Sequence, residues 1–223
     1  MKPTMIKAVL FDLDGTLVDT APDFLWAINQ LKRQRSEPAI TLAEMRSAIS
    51  HGSAGLVTTA LGIPATSPEF EPTRQALLRE YLSVIGRYAL IYEGLHDLLA
   101  TLAKQGIQWG ISTNKPSLYT KALLDTLSFP CQPATVVCPD DVSQPKPHPE
   151  PLFLNCRQLG IDPSEAVFVG DHVRDIDAGK AAGMRTVAAA WGYIDTIDEA
   201  YDWNADAVCM QSQGLHGTLT PWL

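Results

Sequence analysis

Basic charge is scarce in this 223-residue chain. Lys and Arg together number 17 against 25 Asp and Glu, a formal net charge of −8. No run of basic residues occurs. A nucleic-acid surface needs clustered Lys and Arg to meet phosphates, so nucleic acid is excluded as a partner. Long apolar runs are missing too. None approaches the ~18 residues of a membrane span, so no membrane partner is expected. The run Ala8-Val9-Leu10-Phe11 stops at Asp12 and does not read as a signal peptide. Cysteine is sparse: Cys131, Cys138, Cys156 and Cys209 are widely spaced, with no C-x-x-C pair. They read as buried reduced thiols rather than disulfides or zinc ligands, and a cytoplasmic setting is expected. The nucleotide signatures G-x-x-x-x-G-K and G-x-G-x-x-G are absent, which leaves kinase and dehydrogenase readings without support.

What is present is a globular composition, 46% hydrophobic and 19% charged, too apolar for a disordered chain. The acids are lopsided, with 16 Asp against 9 Glu. Glu is the better helix former. The Asp surplus therefore points to caps, turns or a site that needs short, stiff carboxylates.

Short apolar runs alternate with helical patterns. Met5 to Phe11, Ile107 to Thr113, Ala134 to Cys138, Ala166 to Gly170, Thr186 to Ala189 and Ala207 to Met210 read as buried strands. Leu95 to Lys104, Ser117 to Leu127, Pro151 to Leu159 and Asp175 to Ala182 read as helices. The alternation predicts an α/β fold, a Rossmann-like parallel sheet with helices on both faces. One stretch breaks the rhythm. Between about Thr20 and Tyr88 the patterns are helical: Phe24, Ala27, Ile28 and Leu31 share a helix face. Thr41 with Glu44 forms a capping box, and Ser67-Pro68 opens a long helix ending near Gly86. The expected division is a core of residues 1–18 and 90–223 and a helical insert of residues 19–89.

Four clusters could do chemistry. Asp12 and Asp14 follow the first strand at spacing two, which points both carboxylates the same way. They sit at the carboxyl end of a parallel strand, where such sheets bind ligands. Crowded carboxylates disfavour each other's ionisation, a conflict that a hard cation resolves. The competing readings are an Asp14-Gly15 hairpin turn and an EF-hand loop; the latter fails because its sixth position, which must be Gly, is Leu17. Gly170-Asp171-His172-Val173-Arg174-Asp175 follows another strand; Asp171 is either a site acid or a helix N-cap, and Asp175 either faces the same cleft or is first-turn charge. Lys146, between Pro145 and Pro147, is either a rigidly presented phosphate-binding charge or part of a surface polyproline segment. Ser112-Thr113-Asn114-Lys115-Pro116 ends a strand, as an anion-binding spot or as helix capping.

In this order, D-x-D-G-T at Asp12 to Thr16, a strand-end hydroxyl at Thr113, Lys146 and G-D-x-x-x-D at Gly170 to Asp175 resemble the four motifs of the haloacid-dehalogenase superfamily. The resemblance implies a Rossmann-like core with an α-helical cap, a small phosphorylated metabolite as substrate, and Mg²⁺. By resemblance Asp12 is the nucleophile that becomes an aspartyl phosphate, and Asp14 the general acid and base. Thr113, Asn114 and Lys146 bind the phosphoryl group. Asp12, Asp14 (through its carbonyl) and Asp171 form the metal site, and Asp175 completes its acidic shell, either through the metal or by orienting Lys146. The acid at position 14 favours phosphatase over dehalogenase chemistry. Within the superfamily the stretches Thr113 to Pro116, Lys146 to Pro151 and Asp175 to Gly183 resemble phosphoglycolate phosphatases. Ala21 to Phe24, Val137 to Asp140 and Trp191 to Ile194 are similar to N-acetylmuramic acid 6-phosphate phosphatases. A sugar phosphomutase and a non-catalytic binding protein are the rival readings. Arg46, His51 and Gly52 in the cap are candidates for specificity contacts, Arg46 or His51 meeting a substrate carboxylate; the competing reading is a solvent-exposed polar loop. A monomer or homodimer is expected.

Overall fold

The structure, a computed structural model, describes residues 5–194 and 196–223. The chain opens with β1 (Ala8–Phe11) and β2 (Val18–Asp19), then runs through four helices, α1 (Ala21–Gln34), α2 (Leu42–Ile49), α3 (Gly52–Ala60) and α4 (Phe70–Val84). It continues with β3 (Leu90–Ile91), α5 (Leu95–Lys104), β4 (Gln108–Ser112), α6 (Ser117–Leu124), β5 (Thr135–Val137), α7 (Glu150–Leu159) and β6 (Ala166–Gly170). It ends with α8 (Val173–Ala182), β7 (Arg185–Ala189), α9 (Ile197–Asp202), β8 (Ala207–Cys209) and α10 (Leu215–Leu219).

Six strands form one parallel sheet in the order β5-β4-β1-β6-β7-β8. β1 and β6 are central, and every residue of both is buried. That is why they read as unbroken apolar runs: side chains alternate sides along a strand, and here both sides are covered. Val9, Phe11, Val167 and Val169 pack with Leu95, Leu98, Leu99 and Leu102 of α5. Leu10, Ala166 and Phe168 pack on the opposite face with Leu152 and Cys156 of α7 and Ala178 of α8. Phe168 is fully buried, and truncating it to Ala is worth about 3–5 kcal/mol.

The four helices between β2 and β3 have their own core, built from Phe24, Ile28, Leu31, Met45, Ile49, Leu56, Leu77 and Tyr81. The Phe24 and Tyr81 rings stack with centroids 3.9 Å apart. β2 and β3 pair antiparallel, Val18 with Ile91 and Asp19 with Leu90, where the chain enters and leaves the insert. The Thr41–Glu44 capping box forms as its spacing predicts. The long helix starts later than Ser67-Pro68 suggests. Ser67 instead closes a turn, its hydroxyl accepting from Glu69 N and its carbonyl from Phe70 N, and the helix ends at Val84, two residues before Gly86, in line with the expected end.

Candidate active site

Asp12 leaves β1 at its carboxyl end, and the chain turns sharply at Gly15. That residue has φ +84°, and a Cβ there would lie 2.2 Å from Asp171 Oδ2. Backbone conformation and space both demand glycine. Asp171 follows β6 and is not a helix cap. It accepts from the Thr16 hydroxyl at 2.8 Å and from the Tyr193 backbone N–H at 2.8 Å. The N-cap of α8 is His172, whose ring accepts from Arg174 N at 3.1 Å while Asp175 accepts from His172 N at 3.1 Å.

Carboxylate oxygens of Asp12, Asp171 and Asp175 lie within 4.8 Å of one another. Lys146 is not a surface linker residue: its ammonium lies 2.8 Å from Asp12 Oδ1, 2.7 Å from Asp175 Oδ1 and 2.8 Å from the Ser112 carbonyl, with only 1% of its side chain exposed. Burial pushes the Asp12 carboxyl above the usual range. Lys146 pulls it back, and Asp175 and Asp14 push it further up. Asp171 is raised by burial and then by the charges of Asp12 and Asp175. Two buried acids, Asp171 and Asp175, and the half-buried Asp12 share one ammonium, held by Asp12 and Asp175, and leave negative charge that a hard, oxygen-seeking cation would neutralise. The donor set fits Mg²⁺.

Asp14 points elsewhere. Its carboxylate is absent from the three-acid cluster and accepts from the Thr20 hydroxyl at 2.5 Å and the Lys115 ammonium at 2.8 Å. Two residues further on, the backbone has already turned, so strand alternation no longer aligns its side chain with Asp12. Lys115, buried, also donates to the Tyr81 hydroxyl at 2.7 Å and lies over the Phe24 and Tyr81 rings. Burial alone would lower its pKa; Asp14 and Tyr81 reverse this and hold it charged.

The Thr113 hydroxyl accepts from Lys115 N at 3.1 Å, which leaves its own proton to donate. The Asn114 side chain departs from the expected phosphate role. Its amide donates to the Lys146 carbonyl at 2.9 Å and its oxygen accepts from Lys146 N at 3.1 Å, so it clamps the lysine backbone. Helix α6 takes its first-turn partner from Asp140, which accepts from Ser117 N at 2.7 Å.

These groups open into a cavity of about 570 Å³ that the insert helps to line, among others with His51, Gly52, Arg74 and Tyr81. Of the expected cap residues, His51 and Gly52 line it. Arg46 does not meet the expectation of a substrate contact: its guanidinium donates to the Trp191 and Gly192 carbonyls at 3.1 and 3.0 Å and lies over the Tyr193 ring. It is used in joining α2 to the segment after β7. The sequence marks that segment, Trp191 to Ile194, only as a point of resemblance and gives it no role at the site, although it too follows a parallel strand at its carboxyl end. A Cβ at Gly192 would lie 2.2 Å from Asp171 Cβ. The Tyr193 hydroxyl accepts from Thr20 N and Ala21 N at 2.7 and 2.8 Å and donates to Asp19 at 2.8 Å. Lys115 and Arg174 lie inside stretches the sequence marks but receive no role of their own there, and Thr20 receives none.

Among the described residues no helix is long and apolar enough to cross a membrane. Residues 6–183 match the haloacid dehalogenase-like hydrolase family. The chain is 41% identical over 93% of its length to an N-acetylmuramic acid 6-phosphate phosphatase of Pseudomonas aeruginosa, covering 92% of that protein. It is 38% identical to a phosphoglycolate phosphatase of Xanthomonas campestris, with 94% of each chain covered. Among solved structures, a hydrolase from Pseudomonas syringae superposes with a TM-score of 0.73 at 23% identity, covering 96% of this chain and 98% of that one. CbbY from Rhodobacter sphaeroides in complex with phosphate gives 0.71 at 22% identity, covering 95% and 96%. Those structures share the fold of the parallel sheet and its helical insert. With the family matched over most of the chain and relatives of this identity spanning nearly all of it, the protein belongs to the haloacid dehalogenase-like hydrolases.

Proposed function

We propose that this hydrolase is a Mg²⁺-dependent phosphomonoesterase acting on a small phosphorylated sugar acid, with a substrate of the N-acetylmuramic acid 6-phosphate kind as the leading reading. The observation that supports the chemistry is the cluster of Asp12, Asp171 and Asp175, with Lys146 paired to Asp12 and Asp175, at the carboxyl end of the sheet's central strands. In this reading an Asp12 oxygen attacks phosphorus in line, the ester P–O bond breaks, and Asp14 gives its proton to the leaving oxygen. Water, deprotonated by Asp14, then cleaves the aspartyl phosphate and restores Asp12. Lys146 and the Thr113 hydroxyl hold the phosphoryl oxygens as charge spreads over them, and Asn114 keeps Lys146 in register. Asp12, Asp171, Asp175 and the Asp14 carbonyl would hold Mg²⁺, which when bound neutralises the acid cluster against the incoming phosphate. Residues 19–89 act as the cap that excludes water.

The cavity of about 570 Å³ lies in the range of sites that enclose multi-ring or drug-sized ligands, more room than a two-carbon acid fills. This favours the sugar acid over 2-phosphoglycolate, which stays as the second reading because relatives at 38% identity carry that name. The free cysteines suit a cytoplasmic enzyme, monomeric or homodimeric.

The test is a phosphate-release screen of N-acetylmuramic acid 6-phosphate, 2-phosphoglycolate and hexose 6-phosphates, with no bisphosphate activator present. Release by the wild-type chain, abolished in a folded Asp12→Asn variant, is expected. Turnover that needs a bisphosphate would mean a phosphomutase, and turnover unaffected by Asp12→Asn would remove the nucleophile.

A further inference from the structure

We propose that Arg174 is the specificity-determining residue that receives the carboxylate of the substrate, at the side of the cavity formed by the helical insert. This rests on the phosphomonoesterase reading and adds to it a second anion-recognition point on the same molecule.

Four permanently cationic side chains line the cavity: Arg74, Lys115, Lys146 and Arg174. Three are paired with acids. Arg74 lies 3.3 Å from Glu71, Lys115 lies 2.8 Å from Asp14, and Lys146 bridges Asp12 and Asp175. Among the described residues Arg174 has no carboxylate within salt-bridge distance. Its contacts are neutral: Nη2 donates to the Ser50 carbonyl at 2.8 Å and lies 3.0 Å from His172 Nε2, and Nε donates to His172 Nδ1 at 3.2 Å. A half-buried guanidinium held by a carbonyl and an imidazole is oriented but not neutralised. Its Nη1 end is the part left to meet a carboxylate.

The position of Arg174 in its helix points the same way. It is the second residue of α8, where the helix dipole disfavours a cation. Helix stability therefore does not account for an arginine there. The Ser50 contact joins it to the turn between α2 and α3, beside His51 in the same cavity wall. Arg46, the arginine that sequence reading favoured for this task, is committed to the Trp191 and Gly192 carbonyls.

The experiment compares substrates with and without the acid, with the full chain and Mg²⁺. N-acetylmuramic acid 6-phosphate is paired with N-acetylglucosamine 6-phosphate, which lacks the lactyl ether that carries the carboxylate, and 2-phosphoglycolate with ethyl phosphate, which differs by the acid alone. For Arg174→Met, kcat/KM on the preferred acid is expected to fall about 10- to 100-fold, mainly through KM, the scale of losing a hydrogen bond to a charged group. Its acid-free counterpart should change less than about threefold on the same scale. Arg174→Lys, which keeps the charge and loses the fork, should fall between. Equal losses on both members of a pair, or no loss on the acid, would overturn the assignment while leaving the phosphatase reading intact. Wild-type protein that releases phosphate from none of the four would instead overturn the phosphatase reading itself.

Discussion

Lys115 holds its ammonium 2.8 Å from the Asp14 carboxylate, so a lysine outside the four recognisable motifs is bound to the candidate general acid. The same ammonium reaches Tyr81 on α4, which makes this contact a seam between sheet and insert. Asp14 is thereby oriented by groups on both sides of the cavity, with Thr20 supplying the third contact.

Lys115→Met should therefore lower kcat by about 10- to 100-fold with little change in KM, because it frees the acid without touching the phosphate site. Lys146→Met should be more severe, on the order of 10³-fold, since it removes a donor aimed at developing phosphoryl charge. Steady-state phosphate release on the best substrate checks both. Wild-type kcat in Lys115→Met would show that Asp14 finds its place without the lysine.

Metal binding should report the strain in the acid cluster. Burial and mutual repulsion raise the Asp12 and Asp171 carboxyls in the metal-free protein. The folded state then retains protons that the unfolded chain has released, and where the native state binds more protons stability falls as pH rises. This contribution is fully present below the ordinary carboxylate range and is lost as pH climbs through the raised values. Mg²⁺ needs the deprotonated carboxylates, so its stabilising effect should grow over the same interval. Melting in EDTA and in millimolar Mg²⁺, followed from about pH 5 to about pH 8, should show a Tm gain that widens with pH. A gain of constant size would mean that the cluster is ionised throughout without help.

The central sheet was readable because its strands are buried on both faces. Ala166 to Gly170 and Leu95 to Lys104 coincide with β6 and α5 to the residue. The insert was harder. Helix α3, Gly-Ser-Ala-Gly-Leu-Val-Thr-Thr-Ala, is built from poor helix formers. It is helical because Leu56, Val57 and Ala60 are buried against the other insert helices, a tertiary effect with no local signature. At the site, the strand-end position of Asp12, Thr113 and Asp171 was legible from the parallel-sheet pattern. The destination of each side chain was not. Whether Asn114 would face a phosphate or the Lys146 backbone, and whether Arg46 or Arg174 would face the cavity, depends on a contact more than 30 residues away in the chain.

The segment after β7 has two separable jobs, and two substitutions should divide them. The Tyr193 hydroxyl satisfies two backbone amides at the start of α1 and the Asp19 carboxylate. Its backbone N–H holds Asp171. Tyr193→Phe leaves the buried Thr20 amide without its acceptor, while Ala21 N keeps Asp19 at 3.2 Å, a loss of about 1–3 kcal/mol, and lets Thr20 and the attached Asp14 shift. Urea denaturation should register the lost stability and kinetics a lower kcat, while the Mg²⁺ concentration for half-maximal activity should stay near the wild-type value, because the contact to Asp171 is made by the main chain. Gly192→Ala should do the reverse. Its new Cβ would lie 2.2 Å from Asp171 Cβ, too close for any real pair of carbons, so the acid must move and Mg²⁺ must be supplied at higher concentration. Were the two variants to show the same Mg²⁺ dependence, the tyrosine hydroxyl would have to act on the metal acids as well, and the division of labour drawn from these contacts would be wrong.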